Sequence, residues 1–297
     1  MAWPWRARHA PSHSDAGHAG FARHAGFALF VLFFTLPLAV LLGYALAPGW
    51  TFPDILPRDS DPSLLWRVLG LDVRGGRGGL GGQGAEMARH LAQHLGWSVG
   101  TSLLTVLVTL AMCLAPARLF ARREFRGKAP LEALLLAPAL VPPMTFSMGA
   151  HYLFLRLGLA DTLAGVVLVL SVFSYPYMLR ALVNGYESFG EEFELCAVNL
   201  GAGPWTRLWR VELPLLLPAL LAGGSVVFLV AFSEYFLVFL IGGGSVPSFT
   251  GYLFPFLTSS NRGLAAVLTL VFLVPPIALF LLVETTLGGW SRRRGLG

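Results

Sequence analysis

Residues 215–241 read LLLPALLAGGSVVFLVAFSEYFLVFLI, a run carrying one charged residue, Glu234. A helix rises 1.5 Å per residue, so about 20 residues cross the roughly 30 Å hydrocarbon core of a bilayer. A helix on a soluble core shows one apolar and one charged face. This run is apolar all round, which makes lipid its solvent.

Five more runs of this kind lie at 27–46, 97–119, 131–155, 162–182 and 264–287. Hydrophobic residues make up 55% of the chain and charged ones 12%. A water-facing surface needs roughly a quarter to a third charged residues, so a soluble globular class is excluded. The expected fold is all-α: a polytopic membrane protein of about six transmembrane helices. Pro138, Pro142, Pro143, Pro176, Pro275 and Pro276 fall inside these spans. In lipid, neighbouring helices re-satisfy the carbonyls that proline frees, so kinks are expected, either for packing or along a moving pathway.

Charge sets the expected topology. The loop after 97–119 carries Arg118, Arg122, Arg123, Arg126 and Lys128 against one acid, Glu124. The N-terminal tail has Arg6, Arg8 and Arg23, and the C-terminus ends with Arg292, Arg293 and Arg294 before Gly295. The positive-inside rule places both termini and this loop in the cytoplasm. The 182–215 connection follows there by counting. The net charge of +5 is thus read as topology rather than as a nucleic-acid surface. The first span is too long for a cleaved signal core and is expected to be retained.

Between the first two spans, residues 47–96 carry five arginines against five acids and a glycine tract from Gly75 to Gly82. The segment is expected to be extracytoplasmic, and the glycine tract within it a flexible loop. The tract lacks the Gly-Lys-Ser/Thr ending of a phosphate loop. Cys113 and Cys196 form no metal or disulfide framework, and the histidines at 9, 13, 18 and 24 share no helical spacing. No nucleophile constellation appears, so no catalytic residue, bound cofactor or metal is expected on this chain.

The informative connection is 187–218, ESFGEEFELCAVNLGAGPWTRLWRVELPLLLP. Phe189, Phe193, Cys196, Ala197 and Leu200 follow helical spacing on one face. Glu187, Glu191 and Glu194 take the opposite one. Gly201 and the Gly203-Pro204 pair stop this helix. A second short helix is expected over 205–211, with Pro214 opening the next span. A short amphipathic helix of this kind fits a groove on a cytoplasmic partner.

The stretch Cys196-Ala197-Val198-Asn199-Leu200-Gly201-Ala202, followed by Val211-Glu212-Leu213-Pro214, resembles the coupling-loop signature of ABC importer permeases. That signature reads Glu-Ala-Ala, three residues, Gly, nine residues, then Ile-any-Leu-Pro. The spacing from Gly201 to Val211 and the closing Leu213-Pro214 match. Leu195 stands in place of the signature Glu, with Glu194 one position earlier, and Cys196 replaces the first Ala. Thr101-Ser102-Leu103-Leu104, Phe125-Arg126-Gly127-Lys128 and Tyr175-Pro176-Tyr177 extend the resemblance. It looks most like the spermidine/putrescine, ferric-ion and thiamine branch.

The resemblance implies a MetI-like five-helix core over 96–288 with its coupling loop at 187–214. The first helix and glycine-rich loop, 25–95, lie outside that core, between tails 1–24 and 289–297. It also implies four kinds of partner: two cytoplasmic ATPase subunits carrying ATP and Mg, a second permease copy or homologue, an extracytoplasmic binding protein, and the bilayer of a bacterial inner membrane. Nucleic acid is not among them. Glu194, Leu195, Cys196, Ala197, Leu200, Gly201, Ala202, Val211, Leu213 and Pro214 would couple to the ATPase.

A mid-membrane carboxylate is costly unless it meets water or a partner. Glu234 is therefore a candidate pathway residue or a structural one, with Ser233, Tyr235, Tyr175 and His151 as weaker candidates. A carboxylate suits a cationic solute such as a polyamine. Ferric ion, thiamine and an organophosphonate stay open as substrates. Two rival functions remain. An ion-driven secondary transporter would need a whole pathway in one chain, often with an internal repeat, and none is seen. A non-transporting scaffold would leave the glycine-spaced loop unexplained.

Overall fold

The structure is a computed structural model and describes residues 13–50, 54, 60–70 and 81–293. The tails at 1–12 and 294–297 and most of the glycine tract, 75–80, lie outside the described residues. So do the side chains of Arg23, Arg292 and Arg293.

Every regular element among the described residues is helical. In chain order they are α1 (His13–Leu46), α2 (Ser63–Val68), α3 (Gly81–Arg122), α4 (Lys128–Leu136), α5 (Pro143–Leu157) and α6 (Leu163–Phe189). After these come α7 (Glu192–Asn199), α8 (Pro204–Arg207), α9 (Leu213–Ser233), α10 (Phe236–Gly242), α11 (Phe249–Leu257) and α12 (Arg262–Arg293). Five stretches are long and apolar enough to cross a membrane. A sixth is reached if α4 and its 3₁₀ extension are joined to α5 across a 103° bend.

That bend is where the expected 131–155 span departs from a straight helix. Val141 is extended and Pro142 and Pro143 follow it, so two donors are lost together. Pro37, Pro116, Pro176, Pro218, Pro275 and Pro276 stay inside continuous helices. The expected 215–241 span is also broken. α9 stops at Ser233, Glu234 takes an extended conformation, and α10 begins two residues on.

The 47–96 segment carries helix on both sides of the glycine tract. α2 occupies 63–68, and α3 begins at Gly81, well before the apolar run at 97. Met87, Leu91 and Leu95 recur at i, i+4 and i+8, and they pack with Ala45, Val68, Phe249 and Val267. Burial of this apolar stripe carries α3 beyond the membrane span.

α3, α6 and α9 make the centre. Met178, Leu182, Tyr186 and Leu216 pack there with Cys113 and Phe120. Close approach of α6 and α9 depends on glycine. A Cβ at Gly223 would sit 2.7 Å from the Ala181 Cβ, and one at Gly185 would sit 2.6 Å from the Ala219 Cβ. Lipid supplies no hydrophobic drive between helices, so small residues gain packing by letting backbones meet. On α3, the hydroxyls of Ser102, Thr105 and Thr109 donate to the carbonyls of Ser98, Thr101 and Thr105. Ser98 Oγ accepts the Phe249 amide at 2.7 Å, tying α11 to α3. α1 and α12 turn Phe30, Phe33, Phe34, Phe280 and Leu281 outward, as lipid-facing helices do.

Candidate functional site

The connection between α6 and α9 is built from glycine stops and a charge cluster. Gly190, at φ +68°, ends α6. α7 ends in a Schellman arrangement: Gly201 N–H donates to Val198 O and Ala202 N–H to Ala197 O, both at 2.9 Å. Gly201 has φ +79°, which a side chain adopts only at a cost.

The expected separate helix at 205–211 is instead joined to α9. α8 starts with Pro204 at its first position and runs through a wide turn, Leu208–Glu212, directly into α9. Pro214 therefore lies inside a continuous helix rather than opening one. It has no N–H to give the Arg210 carbonyl, and the wider turn just before it absorbs that missing bond.

The wide turn points Glu212 inward, where it is 2% exposed. Its Oε2 accepts the Tyr186 hydroxyl at 2.9 Å, and its Oε1 accepts Arg207 Nε at 2.9 Å. Arg118 Nη1 lies 3.7 Å from the same Oε1. Arg118 also reaches Glu194, with Nη2 2.6 Å from Oε2. Arg122 grips the other oxygen of Glu194 through Nε at 3.1 Å and Nη2 at 2.9 Å. Arg122 Nη2 donates to the Gly190 carbonyl as well. Its guanidinium stands 5.1 Å from the Phe189 ring centre and 5.7 Å from that of Tyr186.

Three arginines and two carboxylates thus join the end of α3, the end of α6, α7 and the start of α9. Glu194 is 6% exposed, so its charge is stable there only while Arg118 and Arg122 pair with it.

Phe193, Cys196 and Leu200 of the expected apolar face are exposed, and the cluster changes the placement of two residues of α7. The acid Glu194 faces inward and so does Ala197. Phe193, Leu195, Val198 and Leu200 face outward, Leu200 at 84% exposure, with Trp205 and Trp209 beside them. Glu187 and Glu191 are exposed, as expected. The periodicity of the helix was legible, but its rotation was set by arginines brought in from α3. Exposed apolar residues in a contiguous patch mark a site for another surface.

Of the residues predicted to couple, Leu195, Cys196, Leu200, Gly201 and Pro214 are exposed. Ala202, Val211 and Leu213 are half-buried, and Glu194 and Ala197 are buried. Arg118, Arg122, Tyr186, Arg207 and Glu212 were missed as members of this site. Arg118 and Arg122, four apart, were visible as a pair but were read for topology alone.

The predicted pathway residues do not converge. Glu234 Oε1 accepts the amides of Phe236 at 3.2 Å and Leu237 at 3.3 Å, so it caps α10. Ser233 donates back to Leu229 O. The Tyr235 ring stacks on Phe254 at 4.4 Å. Tyr175 is buried in the α3–α6–α9 centre, and its carbonyl accepts the Cys113 thiol. His151 is half-buried on α5. No hydrogen bond joins these five to one another among the described residues.

The sequence matches the family described as Binding-protein-dependent transport system inner membrane component, over residues 16–286. The chain belongs to that family. It is an all-helical, multi-pass membrane protein of MetI-like type. Among relatives, the molybdenum transport system permease protein ModB of Mycobacterium tuberculosis is 34% identical over 131 residues, 40% of this chain and 50% of the relative. The molybdate/tungstate transport system permease protein WtpB of Thermococcus kodakarensis is 27% identical over 116 residues, 39% and 47% of the two chains. The chain spans about half the length of these curated relatives. The expected spermidine, ferric-ion and thiamine branch is corrected accordingly.

A solved structure shares the fold: a bacterial ABC transporter involved in import of the acidic polysaccharide alginate. It has a TM-score of 0.66 and 18% identity, covering 93% of this chain and 98% of that one.

Proposed function

We propose that this chain is the permease subunit of an ATP-driven importer and forms part of the path for a tetrahedral oxyanion of the molybdate and tungstate kind. The observation that carries the coupling role is the outward apolar face of α7, held in place by the Arg118–Glu194–Arg122 clamp. Family membership supports the importer reading, and the names of the relatives supply the substrate class.

In this reading the α7 face lies in the cytoplasm and seats in a groove on one of two ATPase subunits. A binding protein delivers the oxyanion on the other side, and a second permease copy or homologue completes the path. ATP and Mg stay on the ATPase, and this chain performs no catalysis. The charge cluster makes α7 rigid with α3, α6 and α9, so a displacement of α7 tilts those helices together. The coupling residues are Leu195, Cys196, Val198, Leu200 and Gly201, with Glu194 as their anchor rather than a contact.

Purification from the native membrane tests this. The expected result is co-purification of an ATPase and a binding protein loaded with an oxyanion. Recovery of this chain alone, under detergent conditions that keep other complexes intact, would overturn the importer reading. A binding protein carrying a cation would overturn the substrate.

A further inference from the structure

α6 is the most buried of the long apolar helices, yet it leaves one strip open. Tyr177, Arg180, Asn184 and Glu187 are exposed at i, i+3, i+7 and i+10, all on one face. Every side chain in this strip bears a hydrogen-bonding group. The strip borders a groove of ≈ 530 Å³ between α6, α9 and the α4 segment, with Leu136, Leu140, Tyr177, Ala222 and Val226 along it. Among the described residues lining this groove, Arg180 is the one charged side chain. It makes no ion pair or hydrogen bond to another described residue.

Arg180 is also deep. Tyr186 marks the level of the charge cluster, through its bond to Glu212. Six residues along α6 place Arg180 roughly 9 Å further into the membrane span. A guanidinium is charged at every accessible pH and costly to bury without water or a counter-charge. Side chains of this kind in membrane spans face the bundle interior or a water-filled path. An interfacial anchor role for Arg180 would not explain why its neighbours on the strip are polar.

We infer that Arg180 contacts the translocating oxyanion, with the Tyr177 hydroxyl and the Asn184 amide as flanking donors. This rests on the proposed function above. A guanidinium presents paired N–H groups to two oxygens of a tetrahedral dianion. The apolar groove walls strengthen that attraction by excluding solvent. Glu187, about 10 Å further along the strip, is a like charge to the substrate and disfavours lingering at that end.

The test uses the whole transporter in liposomes, with ATPase and binding protein, and radiolabelled molybdate as probe. Absence of ATP-dependent molybdate uptake by the unmodified transporter would sink the substrate class itself. With uptake established, Arg180→Gln is expected to lower it about ten- to hundredfold, the range for a lost charged hydrogen bond, while ATPase co-purification stays unchanged. Arg180→Lys is expected to recover only part, since it lacks the paired donors. Full recovery by lysine would overturn the inference in favour of an interfacial anchor. A second readout is thiol labelling of Arg180→Cys, with the unmodified transporter as the reference for the exposed Cys196 and with Cys113 buried. Modification by an anionic, membrane-impermeant thiol reagent, slowed by molybdate, is expected. Reaction with lipid-soluble maleimide alone would overturn the assignment.

Discussion

The phenolic hydroxyl of Tyr186 donates to the buried carboxylate of Glu212 at 2.9 Å, fastening the last turns of α6 to the turn that begins α9. The two residues lie 26 apart in sequence and bracket the whole α7 connection. Both are nearly inaccessible, so water cannot replace the bond when it is removed.

Tyr186→Phe should therefore cost about 1–3 kcal/mol, the penalty for leaving a buried acceptor short of a partner. Thermal unfolding of the detergent-solubilised protein measures it. An unchanged midpoint would mean that Arg207 and Arg118 satisfy Glu212 without the tyrosine.

Removing Glu194 is expected to be more severe. Glu194→Ala leaves Arg118 and Arg122 facing each other without their shared carboxylate, for a loss of about 3–5 kcal/mol. A double-mutant cycle with Arg122→Ala should return a coupling energy of at least about 0.5 kcal/mol, as contacting residues do. Additive losses would show that the 2.9 Å contact carries no energy of its own.

Leu200→Asp separates coupling from folding. Leu200 is 84% exposed and touches no core cluster, so the midpoint should stay within about 0.5 kcal/mol of the unmodified protein. ATPase co-purification should be lost, because a charge would enter an apolar docking face. Retained ATPase would place the docking surface elsewhere.

Gly223→Leu should disrupt α6–α9 packing. The first added carbon already meets Ala181 at 2.7 Å, and a larger side chain needs the helices to part. Overpacking of this kind costs about 1–3 kcal/mol or more. The measurement is folded yield and unfolding midpoint. A matching substitution at Gly203, where a Cβ meets open space, should be mild by comparison.

Glu234→Gln should leave molybdate uptake within about twofold, because glutamine keeps an oxygen for the Phe236 and Leu237 amides. Glu234→Ala should lower stability by about 0.5–2 kcal/mol through loss of the cap. A large uptake loss in Glu234→Gln at unchanged stability would restore that residue to the pathway.

The membrane class was legible in the sequence, because an apolar run longer than a bilayer is thick has one solvent that suits it. The glycine punctuation of the α7 connection was legible too. Gly201 stops a helix by its own backbone freedom, whatever surrounds it. Where α3 begins was not legible, since the helix over 81–96 is sustained by burying Leu91 against α1, α2, α11 and α12. The break at Glu234 was hidden for a related reason: a carboxylate within an apolar run reads equally well as a pathway group or as a cap. Its partners, the Phe236 and Leu237 amides, appear only once the chain has turned.

The rotation of α7 belongs wholly to the tertiary structure. Local periodicity offers two faces and does not say which is inside. Arg118 and Arg122 lie more than 70 residues from Glu194, and their charge draws that acid inward and leaves the apolar face exposed. Sequence alone determined that there is a helix, a glycine stop and a continuing span. Only long-range ion pairing decided which way the helix faces, because a buried carboxylate is stable only where arginines from another helix can reach it.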